Sequence, residues 1–184
     1  DHGRPLGDPK GRGDIGVLEQ RLAGLAWKVL RIDPDRATAA RGTDPYLEGG
    51  HVRAQGTLFA DIDLDVSFHD VDMVGVVWHG HYLRYLENAR WALMNQLGYG
   101  LDRMVASGFA WPIVELQTRY VSPARFGDRL RVRASLVEWE SRLTLNYLIT
   151  RAGDDVRIAR GRTVQVAVDA RSSELQFVTP PGFR

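Results

Sequence analysis

Hydrophobic and polar positions follow two regimes that part near residue 55. From Gly56 to Phe68 they alternate, with Phe59, Ile62, Leu64, Val66 and Phe68 set against Asp61, Asp63, Asp65 and Ser67. A period of two predicts a strand with one polar face. From Gly80 to Leu97 the period lengthens. Tyr82, Leu86, Ala89, Leu93 and Leu97 form a stripe, Tyr85 and Ala92 widen it, and Gly98 stands where a helix stops. Leu101 to Ser107 adds a short second helical piece. Four further strands are expected: Trp111–Val121, Arg129–Trp139, Arg142–Thr150 and Asp155–Asp169, the last with a bulge at Gly161. Leu130, Val132, Ala134 and Leu136 oppose Arg129, Arg131, Arg133 and Ser135, while Leu143, Leu145, Tyr147 and Ile149 repeat the alternation. The closing ProProGlyPheArg ends regular structure. A single broad apolar helix and a run of half-apolar strands bury each other best when an antiparallel sheet curls around the helix.

The preceding residues, 1–54, read as an extension to a domain spanning 55–184. Asp1–Asp14 is a Gly-, Pro- and charge-rich tail. The spacing of residues 15–32 predicts an amphipathic helix with Leu18, Leu22, Leu25 and Val29 on one face. Its short apolar face, with Trp27 as the one bulky aromatic, favours packing on the domain or a partner over contact with a membrane. Asp33–Ala54 reads as a linker.

Composition removes several chemistries. There is no cysteine, hence no disulfide, thiolate nucleophile, Cys-ligated zinc or iron–sulfur cluster. A formal net charge of +1 argues against non-specific nucleic-acid binding. No apolar run reaches membrane-spanning length, and the first residues lack the apolar region of a signal peptide, so a cytoplasmic location is expected. No Gly-x-Ser-x-Gly elbow and no phosphate-cradling glycine loop is present.

Candidate chemistry gathers in FHDVDMVGVVWHGHY, Phe68 to Tyr82. Asp72 lies in the loop before the helix, and the amides of His79, Gly80 and His81 lie at its start. Unpaired amides at a helix N-terminus attract developing negative charge. A carboxylate facing them can attack a carbonyl or activate water against it. Asp70 reads as a brace or cap, Gly75 as a turn requirement, and Glu87 as a hydrogen-bonding support. On a helix His79 and His81 point roughly 200° apart and cannot share a metal. His69, Asp72 and His79 show no recognised ligand spacing, so no metal is expected.

These residues carry a resemblance. Asp70, Asp72, Gly75, Val76, Val77, Trp78 and Tyr82 are similar to the Asp-x-Asp-x-x-Gly-[Ile/Val]-Val stretch, aromatic and tyrosine of hotdog-fold acyl thioesterases. The branch is that of 4-hydroxybenzoyl-CoA thioesterase and the Tol–Pal-associated acyl-CoA thioesterases. Glu87 and Arg90 match a Glu-x-Ala-Arg that follows there, and RYVSPARFGDRLRV resembles the family's strand–turn–strand. VVWHGHYLRYLENAR, WPIVELQTRYVSPARF and ASLVEWESRL also resemble the thioesterase of aryl polyene pigment clusters. The likeness spans about residues 56–180.

The resemblance implies an α+β hotdog fold, with about five curved strands around one long helix and an added N-terminal helix. It implies hydrolysis of an acyl-CoA or acyl-carrier-protein thioester, with Asp72 as nucleophile or general base and the amides near His79 and Gly80 holding the carbonyl oxygen. Val76, Val77, Trp78, Tyr82, Trp111 and Pro112 would line the acyl channel. The His79 side chain has three open roles: orienting the acid, orienting water, or protonating the thiolate. No cofactor is implied beyond the coenzyme A or phosphopantetheine of the substrate, and a homodimer or homotetramer with sites between subunits is expected. The arginines of Arg119 to Arg133 face two readings, contact with carrier phosphates or acids, and a solvated strand face. Two other functions stay open: a hotdog hydratase or dehydratase of 3-hydroxyacyl thioesters, and an acyl-binding protein without turnover.

Overall fold

The computed structural model describes residues 58–179. The tail, the 15–32 helix and the linker lie outside the described residues, as does the ProProGlyPheArg end. Five strands form one antiparallel sheet in the order β1-β4-β5-β6-β3, built from β1 (Leu58–Asp65), β3 (Ile113–Tyr120), β4 (Arg129–Glu138), β5 (Leu143–Arg151) and β6 (Arg157–Gln165). Helix α1 (His81–Gln96) lies against it, followed by the short α2 (Leu101–Ser107). A three-stranded sheet joins β2 (Phe109–Ala110), β7 (Ala167–Asp169) and β8 (Leu175–Gln176). This is the hotdog arrangement.

The stripe of α1 is buried as its spacing predicts: Leu86, Ala89 and Leu93 meet Leu130, Val132, Ala134, Leu145 and Ile149 in one apolar cluster. Full burial of a leucine such as Leu93 contributes about 2–3 kcal/mol. Gly98, at φ +72°, ends the helix in the left-handed conformation that glycine adopts without strain.

Four expectations need correction. Phe59 and Phe68 do not join the inner face of β1. Ala60, Ile62, Leu64 and Val66 point inward, so strand period places Phe59 on the aspartate side, under the Arg133 guanidinium at 4.4 Å. Phe68 lies past the strand in a 3-10 turn, Phe68–Asp70, and is exposed. Gly161 is not a bulge: its register with Tyr147 and Thr118 is unbroken. A Cβ there would come within 2.8 Å of Leu86 Cδ1, so the missing side chain makes room for α1. The long fourth strand instead breaks at Val166, where the chain passes from β6 into β7 of the small sheet. On the outer face of β4 and β5, Ser135, Thr144 and Asn146 are buried.

Candidate active site

The segment between β1 and α1 is a small hairpin laid against the loop after β3. Val71 bridges Val77, and Val76 bridges Arg125. Asp72 closes the hairpin tip: its amide donates to the Val76 carbonyl at 2.8 Å and its carbonyl accepts from the Gly75 amide at 2.9 Å. Gly75 has φ +79°, which the tight turn requires. The Asp72 carboxylate is exposed. Its Oδ1 accepts from the Val74 amide at 2.9 Å and the Val76 amide at 3.5 Å, and Oδ2 points free of hydrogen bonds among the described residues.

Asp70, two residues earlier, has the opposite environment. Its side chain is 4% exposed. Oδ1 takes His81 Nδ1 at 2.8 Å and Arg84 at 3.3 Å, and Oδ2 takes the Tyr85 hydroxyl at 2.9 Å and the Ser67 amide at 3.3 Å. Burial alone would raise the Asp70 carboxyl, but the hydrogen bonds from Tyr85, His81 and Ser67 and the nearby His69 outweigh it and hold it below the usual carboxylate range. An ionised carboxylate only accepts, so His81 Nδ1 carries the proton and Nε2 is left unprotonated in the neutral ring. The Tyr85 phenol is driven upward by burial and by Asp70, so it stays a donor.

Trp78 opens a turn into α1, with the His81 amide donating to the Trp78 carbonyl at 2.9 Å. Its ring lies 4.8 Å from the His79 ring and 5.4 Å from the His81 ring, covering Gly80. A Cβ on Gly80 would fall 2.1 Å from that ring. Gly80 is the N-cap of α1 without a side-chain cap, and no acid lies in the first turn. Among the described residues neither the His79 nor the Gly80 amide has an acceptor. The His79 carbonyl, by contrast, is held by the Tyr120 hydroxyl at 2.9 Å.

A cleft of about 260 Å³ opens beside these amides, lined by Val76, Val77, His79, Tyr82, Tyr120 and the Val121–Pro123 segment. The Tyr82 and Tyr120 rings meet edge-on at 5.2 Å. The Tyr82 hydroxyl accepts from the Ala124 amide at 3.3 Å, and burial pushes its phenol up.

The structure therefore brings Val76, Val77, His79 and Tyr82 together in the cleft wall, with Gly80 at the helix start. Asp72 and Gly75 are not lining residues, and Asp72 joins the wall through its hydrogen bonds with Val76. Trp78 turns outward, about half exposed. Trp111 is buried in the domain core, its Nε1 donating to the Tyr99 hydroxyl at 3.2 Å, and neither it nor Pro112 lines the cleft. Glu87 accepts from Arg90 Nε at 2.8 Å, and Arg90, buried, also reaches Gln165 at 3.3 Å. Sequence reasoning passed over Tyr120 and the side chains of His81, Arg84 and Tyr85. The last three were within reach: positions three and four apart on a helix share a face, so His81, Arg84 and Tyr85 can converge on one acid. Among the described residues no group of His, Asp and Glu side chains is placed to hold a metal ion.

Thioesterase-like superfamily is the family whose sequence profile matches residues 66–182. The chain belongs to that family. A 1,4-dihydroxy-2-naphthoyl-CoA hydrolase of Thermosynechococcus vestitus is 37% identical over 107 residues, covering 56% of this chain and 73% of the relative. An acyl-acyl carrier protein thioesterase of Arabidopsis thaliana chloroplasts is 27% identical, covering 67% and 64%. Among solved structures, the 1,4-dihydroxy-2-naphthoyl-CoA thioesterase from Synechocystis superposes with TM-score 0.62 at 24% identity, covering 68% of this chain and 92% of that one. An Asp-to-Asn mutant of 4-hydroxybenzoyl CoA thioesterase complexed with 4-hydroxybenzoyl CoA superposes equally, at 21% identity, covering 68% and 96%. The fold of this thioesterase is thus the hotdog fold expected from its sequence, and its reaction is thioester hydrolysis.

Proposed function

We propose that this thioesterase cleaves aryl acyl thioesters carried by coenzyme A or phosphopantetheine, with Asp72 as nucleophile or general base. The observation that carries the assignment is the contrast between two aspartates. All four hydrogen-bond partners of Asp70 converge on a buried carboxylate, which leaves it no lone pair for substrate. Asp72 is open to solvent, hydrogen-bonded to Val76 of the cleft wall, with one oxygen unengaged among the described residues. The thioester carbonyl oxygen sits against the free amides of His79 and Gly80, where the α1 dipole adds to them. Asp72 either takes a proton from a water that attacks the carbonyl carbon, or attacks it itself, in which case a second step, hydrolysis of the acyl-Asp72 anhydride by water, releases the acid and restores the carboxylate. The tetrahedral oxyanion collapses, the C–S bond breaks, and the thiolate leaves to be protonated. The Tyr82 and Tyr120 rings and the Val76–Val77 wall suit a flat acyl group.

The enzyme acts as a homo-oligomer in this reading. Asp72 is exposed and is not part of the cleft wall, so a second copy closes the site from outside. Edge strand β3 presents Ile113, Leu116 and Tyr120 to solvent, followed by Val121, and an edge of that kind favours pairing.

Asp72→Asn is expected to lower kcat by about 10²–10⁴-fold on a panel of acyl-CoA and acyl-carrier-protein thioesters, with an unchanged melting curve. Full turnover by this variant would remove Asp72 from the mechanism. The Asp70–His81 contact supports a second reading, in which Asp70 orients His81 as the base for water or for hydration of an enoyl thioester. Loss of activity in His81→Gln together with retention in Asp72→Asn would select it.

A further inference from the structure

The outer face of the main sheet matches its arginines with acids in one half and leaves them unmatched in the other. One rung runs across all five strands: Asp61 faces Arg133, Arg133 faces Leu148, Leu148 faces Arg160, and Arg160 faces Arg119. These five point away from α1, because their chain neighbours Ala60, Ala134, Tyr147, Gly161 and Tyr120 lie on the helix side. In the β1–β4 half the charges cancel. Arg133 forks onto Asp61, with Nε donating at 2.7 Å, and Arg131 forks onto Asp63 at 2.9 and 3.2 Å. In the β6–β3 half Arg119 and Arg160 face each other, and Arg157 stands opposite Thr150. Among the described residues none of these three arginines has an acidic partner. Glu115, the one carboxylate of β3, lies two rungs away and accepts from Gln117.

Like charges directly opposite on neighbouring strands cost stability. A carboxylate surface supplied from outside removes that cost. The unmatched half also begins at the cleft, since Arg119 precedes Tyr120, whose ring forms part of the cleft wall. We propose that Arg119, Arg157 and Arg160 form the docking surface for an acidic acyl carrier protein, which delivers its phosphopantetheine-linked acyl group into the cleft past Tyr120. The arginines lie on the outer face of the sheet, whereas the cleft opens on the helix side at the end of β3, where Tyr120 to Pro123 line it. Three arginines spread over two strands of one face suit the broad acidic surface of a protein better than the phosphates of a single coenzyme A, and the outer face stays open when the β3 edge pairs with a second copy. Charge complementarity of this kind sets encounter rate and partner choice. The proposal rests on the thioesterase reading for its delivery step, but the docking itself is measurable without turnover.

The test uses the full chain, a stand-alone holo acyl carrier protein, and 4-hydroxybenzoyl or octanoyl groups attached to carrier protein, coenzyme A or bare pantetheine. Carrier affinity of the wild type, measured by calorimetry, should fall at least about tenfold in Arg119→Glu/Arg160→Glu and should weaken as salt is raised. The kcat/KM on acyl-carrier protein should fall in parallel, with acyl-CoA and acyl-pantetheine hydrolysis unchanged. The single Arg119→Glu, which sets a carboxylate opposite Arg160, should weaken docking while keeping or raising the melting temperature, so a folding defect cannot imitate the result. Equal affinity for carrier in wild type and double variant overturns the proposal. So does an equal loss on acyl-CoA, which would assign the arginines to coenzyme A phosphates. Arginine-dependent carrier binding with no hydrolysis of any thioester would leave docking standing and defeat the catalytic reading; hydrolysis without carrier binding would do the reverse.

Discussion

At the residue scale, Asp70 and Tyr120 brace the turn into α1: Asp70 accepts from His81, and the Tyr120 hydroxyl donates to the His79 carbonyl. Removing the Asp70 charge leaves the Tyr85 hydroxyl, His81 and the Ser67 amide facing a weaker acceptor. Asp70→Asn is expected to destabilise the fold by about 2–3 kcal/mol, read in urea titrations. The sign of the pH effect follows from the lowered carboxyl. Its contribution is fully present above the unfolded value of about 3.9 and is lost as pH falls through the lower folded value. Wild type should therefore lose stability below about pH 4, and Asp70→Asn should lose less over that range. Tyr120→Phe keeps the ring in the cleft but drops the hydrogen bond to the His79 carbonyl. A roughly tenfold fall in kcat with little change in KM is expected, because orientation of the adjoining amide is lost while the binding wall stays. A change confined to KM would assign Tyr120 to binding alone.

At the element scale, α1 and the sheet fit through one small residue. Gly161 lies in the middle of β6, in register on both sides, and Leu86 of α1 fills the space a side chain would take. Gly161→Val should cost about 1–3 kcal/mol by overpacking, and should also impair catalysis by shifting the helix that carries the His79–His81 turn. Chemical denaturation beside a kcat measurement checks both. Most of this architecture was legible in the chain. The spacing of Leu86, Ala89 and Leu93, the alternation of Leu130 to Leu136 and the span Leu101–Ser107 are local patterns, and the elements follow them closely. Gly161 was read as a bulge because a glycine within a strand has two causes, a local irregularity or a close neighbour. Only the position of α1 separates them.

At the scale of the whole molecule, the exposed apolar residues of β3 are where the proposed assembly is tested. Light scattering at micromolar concentration should give at least a dimer. Leu116→Lys should shift it toward monomer and lower activity in proportion if the site is shared between copies. A fully active wild-type monomer would show the site to be complete within one chain.

The chain by itself determined the kind and order of its elements and the inner face of most strands, because periods of two and of three to four are properties of neighbouring residues. It also singled out Phe68 to Tyr82 as the candidate segment for chemistry. The tertiary structure supplied the physical difference between the two aspartates that the resemblance had already set apart. They are alike in type and two residues apart, yet a 3-10 turn drives Asp70 into contact with His81, Arg84 and Tyr85, while the hairpin tip leaves Asp72 in solvent. Likewise only cross-strand register decided that Arg131 and Arg133 are neutralised and Arg119 and Arg160 are not, and only packing around Tyr99 drew Trp111 into the core. Burial and ion pairing depend on residues many positions away, and no local pattern encodes which of them will meet.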